Sequence, residues 1–274
     1  MANTIRSAKD GKDWTSNELL AYNITVSYES PDTFYGMPLP TVESLGLDPN
    51  LLSGSTLDDE RGISEDTFRL LRHLEFASTM NSNQASSLVD FTREILGALG
   101  YQKRGVLRFR HEIPLICGDS ERSAQIDVSL IRLIRPSMPP SPTTVLLVIK
   151  QDTTTMDQWP DAQVIADAIA AFQWNNYSRT RSGLPELGSM TIPCIGMVGT
   201  RPIFYLVPVT RELSHAVAKG QYPPAPTVVK SCVVASKSSE GMESPDFRQL
   251  AFQHFVAFYT LAETHWSAFD IVLN

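Results

Sequence analysis

Cysteine is scarce in this chain of 274 residues, and the three present, Cys117, Cys194 and Cys232, follow no metal-ligand spacing. The first residues, Met1 to Ser7, lead into polar sequence without the apolar core of a secretory signal. An odd thiol count in that setting reads as buried cysteine in the cytosol or nucleus. Long apolar runs are missing too. Nothing approaches the roughly 20 residues that cross a bilayer, so no membrane partner is expected. Positive charge is in deficit: 23 Lys and Arg stand against 30 Asp and Glu, a net −7. That argues against a general nucleic-acid coat, which needs clustered basic residues. Only local clusters remain, Lys103-Arg104 with Arg108 and Arg110, and Arg179 with Arg181. The histidines (His73, His111, His215, His254, His265) show no paired spacing for zinc. No Gly-x-Ser-x-Gly elbow occurs, and Gly196 to Thr200 lacks the Lys-Ser/Thr ending of a phosphate loop.

What is present is an ordinary globular composition, 42% hydrophobic and 19% charged. Residues 1–60, broken by Pro31, Pro38, Pro40 and Pro49, read as an irregular arm on the main domain, with short structure around Leu19–Val26. The run Asp58-Asp59-Glu60 reads as a solvated face. Residues 61–274 read as one α/β domain. Ser64 starts a helix, and Asn81 to Ser87 is a polar loop. From Ser87, Leu88, Phe91, Ile95 and Leu99 recur at helical spacing up to Gly100. Strands follow at Val106–Ile116 and Ser123–Leu133 around a Gly118-Asp119 turn, then a proline loop at 136–142. Val145 to Ile149 is a continuous apolar run, as in a strand covered on both faces. Pro160 opens a helix whose stripe is Val164, Ile165, Ala168, Ile169 and Phe172. Strands are expected at Thr191–Val198, Pro202–Val209 and Thr227–Val234, a short helix at Arg211–Ala218, and a last helix from Pro245.

The chemistry concentrates where helix, three strands, helix and strand succeed one another between residues 87 and 198. Asp127 sits among Ile126, Val128 and Leu130, where a carboxylate is costly unless paired, hydrogen-bonded or bound to metal. Lys150, Gln151 and Asp152 follow the third strand. If the two strands are neighbours, these groups meet at one corner. A hard cation such as Mg²⁺ or Mn²⁺ takes oxygen ligands of this kind and lowers the pKa of an attacking water. The plainer alternative is that Asp127 pairs with Arg122, Lys150 or a backbone amide at a strand end.

With these residues in place, the segment resembles the PD-(D/E)XK superfamily. That superfamily places an Asp on one strand, an acidic-x-Lys on the next and polar residues on the following helix. More narrowly, Ala124-Gln125-Ile126-Asp127-Val128, Ala162-Gln163-Val164-Ile165-Ala166, Thr191 to Pro202 and Val207 to Leu213 are similar to a group of proteins from mushroom-forming fungi with no assigned activity. The resemblance implies a restriction-endonuclease-like core, a central mixed sheet flanked by helices, cleaving DNA or RNA phosphodiesters with Mg²⁺ or Mn²⁺. Asp127, Asp152 and Gln151 would hold the metal, and Lys150 would steady the developing charge. Gln163, Gln173, Tyr177, Arg104 and Arg108 would meet substrate, with Gln173 and Tyr177 at the Gln-x-x-x-Tyr spacing of related exonucleases. The chain departs from the pattern at two letters: Gln151 stands where Glu belongs and Thr153 where Lys belongs. An uncharged amide weakens metal binding, and Thr supplies no cation. The competing reading is therefore a catalytically inactive protein of this fold that binds a protein or nucleic-acid partner.

Overall fold

The computed structural model describes residues 8–54, 62–79, 85–134, 142–152, 160–237 and 239–269. The acidic run 58–60, most of the proline loop and Thr153 lie outside the described residues, as does the Arg104 side chain. Seven strands, β1 (Ile24–Tyr28), β2 (Val106–Cys117), β3 (Ser120–Leu133), β4 (Thr143–Asp152), β5 (Ser189–Val198), β6 (Arg201–Thr210) and β7 (Thr227–Val233), form one mixed sheet. Their order is β1-β7-β6-β5-β4-β3-β2. β4/β5 and β1/β7 pair in parallel, and the other neighbours are antiparallel. No helix among the described residues is long and apolar enough to cross a membrane.

The helices are α1 (Ser16–Ala21), α2 (Pro31–Tyr35), α3 (Pro49–Ser53), α4 (Glu65–Ser78), α5 (Ala85–Ala98), α6 (Asp161–Arg181), α7 (Arg211–Ala218) and α8 (Pro245–Phe269). α6 packs on β2, β4 and β5, with α1 and α7 beside it, and α8 packs on β5 and β6 with α2 and α3 against it. α4 and α5 pair, and the turn after α5 is tied to α8 by the Tyr101 hydroxyl donating to the Phe255 carbonyl at 2.7 Å.

Local chemistry explains most boundaries. Ser64 caps α4, its hydroxyl accepting from the Thr67 N–H. Gly118 and Asp119, at φ 58° and 57°, make the tight turn between β2 and β3. α5 begins at Ala85, inside the stretch read as loop, and buries Leu88, Phe91 and Ile95. The N-terminal segment does more than lie on the domain. Residues 24–28 become the edge strand β1, and Trp14 is buried in a stack with Tyr22, ring centroids 5.4 Å apart.

α6 joins the sheet through side-chain amides as well as apolar contact. Gln173 accepts from the Ile116 N–H and donates to its carbonyl, at 2.8 and 3.1 Å. Asn175 does the same for Val145 at 2.7 and 2.9 Å, and Asn176 ties down the loop before β5 through Leu187 at 2.9 and 3.1 Å. The Asn175 clamp falls where it is needed. The β3/β4 register shifts between Leu130, opposite Leu147, and Ile131, opposite Val145, so Leu146 is an extra residue in β4. The Leu146 carbonyl accepts instead from the Trp266 indole N–H at 2.5 Å. Asn175→Ala therefore strands a buried N–H and a buried carbonyl and should cost about 2–4 kcal/mol in urea unfolding. Gln173→Ala, at the solvent-exposed edge, should cost about 1 kcal/mol or less.

Candidate functional site

The regular ladder between β3 and β4 extends to the pair Val128–Ile149. One position further, the Asp127 carboxylate takes over from the backbone: its Oδ2 accepts the Gln151 N–H at 2.8 Å. On the other side, β2 meets the same position with Arg110 at φ 48°, a left-handed conformation uncommon for a residue with a side chain. This residue reverses the side-chain alternation of the strand. Phe109, level with Val128 and Ile149, lies under the Arg93 guanidinium of α5 at 5.9 Å. His111, two residues on, is turned to the opposite face, where its Nδ1 is 2.8 Å from the Ser129 hydroxyl. Burial, helped by the nearby charge of Arg108, lowers the His111 pKa to about 4.

β4 keeps strict alternation through this region, and the alternation sorts the expected site residues. Lys150 points toward α6. Its buried ammonium donates to the Gln125 carbonyl at 3.0 Å and stands 3.6 Å from Asp127 Oδ2 and 3.9 Å from Asp167 Oδ2. Gln151 points toward α5, where its Nε2 donates to the Leu88 carbonyl at 3.0 Å and the Thr92 hydroxyl at 2.8 Å. Asp152 returns to the α6 side at the strand end. It lines a cleft of about 620 Å³ with Lys12, Trp14, Pro160, Asp161 and Gln163. Asp161, at the first position of α6, is held by two hydroxyls, Tyr28 at 2.6 Å and Tyr205 at 2.7 Å.

Asp127 and Lys150 thus meet as expected, through the plainer chemistry of an ion pair and a backbone amide. Asp152 and Gln163 share the cleft. Gln151 reaches Asp127 only through its backbone N–H, its amide being engaged on the other face. The three expected metal ligands therefore do not present their side chains to one point. Among the described residues no group of three or more His, Cys, Asp or Glu comes together in a way that could hold a metal ion. Gln173 and Tyr177 lie elsewhere. Gln173 grips Ile116, six residues along β2 from Arg110, about 20 Å at strand rise. Tyr177 is exposed beside Trp174 and under Arg181. Arg108 is exposed on β2, whereas Arg179 is half-buried and donates to the Pro185 carbonyl at 2.9 Å.

Asp167, the member of the cluster that sequence reasoning missed, is fully buried on α6, and neither carboxylate oxygen has a hydrogen-bond partner among the described residues. Gly11 covers it; a Cβ there would come within 3.0 Å of Oδ1. Burial raises the Asp167 pKa to about 8, with Lys150 opposing the shift and Asp127 adding to it. One signal was available in the sequence: an aspartate amid Ile165, Ala166, Ala168 and Ile169 in the most apolar stretch of the helix.

With this geometry established, comparison with known proteins adds no assignment: no protein-family model matches the chain, and no curated protein does.

The proton on Asp167 couples stability to pH with a definite sign. Between the ordinary carboxyl value of 3.8 and about 8, the native state binds a proton that the unfolded chain has released. This contribution to stability is complete below pH 3.8, falls as pH rises, and is gone above about 8. Asp167→Asn keeps the neutral shape and removes the titration. Melting temperatures from pH 5 to 9 should show the variant gaining several degrees on the wild type as pH rises. A constant difference across that range would contradict the assignment.

Proposed function

We propose that this chain is a protein of PD-(D/E)XK type that has kept the architecture of the site without its hydrolysis, and that it works by binding a macromolecular partner. The observation that carries this reading is the state of Asp127. Its carboxylate, the one site letter that matches the superfamily pattern, is taken up by a peptide N–H and faces an ammonium. The succession α5, β2, β3, β4, α6, β5, with β4 and β5 parallel, agrees with the expected layout of that core and supports the lineage. Gln151 at the Glu position donates to a carbonyl and a hydroxyl, a task that a carboxylate would perform badly. The net charge of −7 favours a protein partner over a nucleic-acid backbone.

Purified protein incubated with single- and double-stranded DNA and with RNA, in Mg²⁺ or Mn²⁺, should leave every substrate intact. Calorimetry with either ion should give no binding heat. Cleavage that disappears in Asp127→Asn would overturn the proposal in favour of a working metal-dependent nuclease. The double change Gln151→Glu with Thr153→Lys separates loss of letters from loss of geometry. Because a carboxylate at 151 would face the Leu88 carbonyl, this variant should lose about 1–3 kcal/mol of stability and gain no cleavage.

A further inference from the structure

We infer that Asp127, Asp167 and the Gln125 carbonyl form a cation cage whose resident cation is the Lys150 ammonium, standing where a hard divalent ion would otherwise bind. The inference rests on the non-hydrolytic reading and extends it to a site that includes Asp167. Three oxygens from two elements, β3 and α6, surround one nitrogen: Gln125 O at 3.0 Å, Asp127 Oδ2 at 3.6 Å and Asp167 Oδ2 at 3.9 Å. Two carboxylates and a carbonyl are the donor chemistry that Mg²⁺ and Mn²⁺ select. Here the charge is delivered on a side chain, so occupancy needs no metal from solution.

Burial makes the arrangement exacting. The Lys150 side chain is 8% exposed and that of Asp167 is 0% exposed, so neither polar group is solvated by bulk water. No other donor among the described residues holds either oxygen of Asp167, which leaves the ammonium as its polar neighbour. The turn at Gly11 closes the Asp167 side against Ala124 and is itself pinned by Asp10 accepting from the Ser123 N–H at 3.1 Å. Shortening Lys150 therefore empties a space lined by oxygen and still roofed by the N-terminal segment.

Lys150→Ala is the test, with Mn²⁺ as the probe at pH 8.5, where proton competition for the carboxylates is reduced. Calorimetry and the electron paramagnetic resonance signal of free Mn²⁺ should show one ion bound per variant chain and none bound by the wild type. Saturating Mn²⁺ should raise the melting temperature of the variant by several degrees and leave the wild type unmoved. Adding Asp167→Asn to Lys150→Ala should lower the Mn²⁺ affinity at least tenfold. A folded Lys150→Ala that binds no Mn²⁺, or binds it equally well with Asp167→Asn, overturns the cage. If Lys150→Ala does not fold unaided, refolding with and without Mn²⁺ decides: recovery only with the ion supports the cage, and no recovery in either case counts against it. Cleavage by the wild type alongside a Mn²⁺ site gained in Lys150→Ala would remove the non-hydrolytic reading and leave the cage standing.

Discussion

The ammonium of Lys150 is wedged where β3 and β4 part, and the arrangement of the surrounding groups follows from it. A buried amine of this kind is tolerated only when oxygen surrounds it, because the loss of hydration otherwise outweighs its attractions. Gln125 supplies a carbonyl, Asp127 a partly exposed carboxylate and Asp167 a fully buried one. The strands separate at Asp127 because the carboxylate replaces a backbone acceptor for Gln151. They stay together below it because Val128 to Ile131 pair with Val145 to Ile149 in a stretch that is almost wholly buried.

The N-terminal segment belongs to this same construction. Gly11 sits tightly over Asp167, where a Cβ would come within 3.0 Å of Oδ1, Asp10 occupies the Ser123 N–H, and Lys9 pairs with Glu18 at 2.5 Å. Thr15 and Glu18 close a capping box that starts α1 and steers the chain into β1. A segment that reads as an arm in sequence thus roofs the buried acid at one end and completes the sheet at the other.

The core was legible wherever a hydrophobic period was long or unbroken. The β4 run, the stripe of α6 and the β2–β3 hairpin all announce themselves in one dimension. β1 was only half visible, since five residues among prolines carry a weak signal and depend on β7 for their hydrogen bonds. At the site, the meeting of Asp127 with Lys150 followed from neighbouring strands. The direction of Gln151 did not, because it turns on which face each residue of β4 presents. Asp167 stayed hidden for a different reason. It lies 40 residues from Asp127 in the chain, and its importance comes from burial, which no local pattern of letters displays. Gln173 and Tyr177 carried the spacing of a known motif, yet the Gln173 amide serves the edge of β2, where unpaired backbone groups had to be satisfied.

Alternation along β4 also sets which groups could act together at this corner. Gln151 belongs to the α5 face, whereas the cation at 150 lies on the α6 face. Asp127 stands at the crossover made by the left-handed residue Arg110, touching β4 through an in-plane hydrogen bond and Lys150 through charge. A carboxylate placed at 151 would therefore stand on the α5 face while Asp127 remains committed to Lys150 and the Gln151 N–H. The aspartate would also have to leave the ammonium, and that would leave Lys150 buried with only Asp167 and a carbonyl beside it. With a lysine as the internal cation, the α5 face has no use for a carboxylate, and the Gln151 amide, which donates, serves it better.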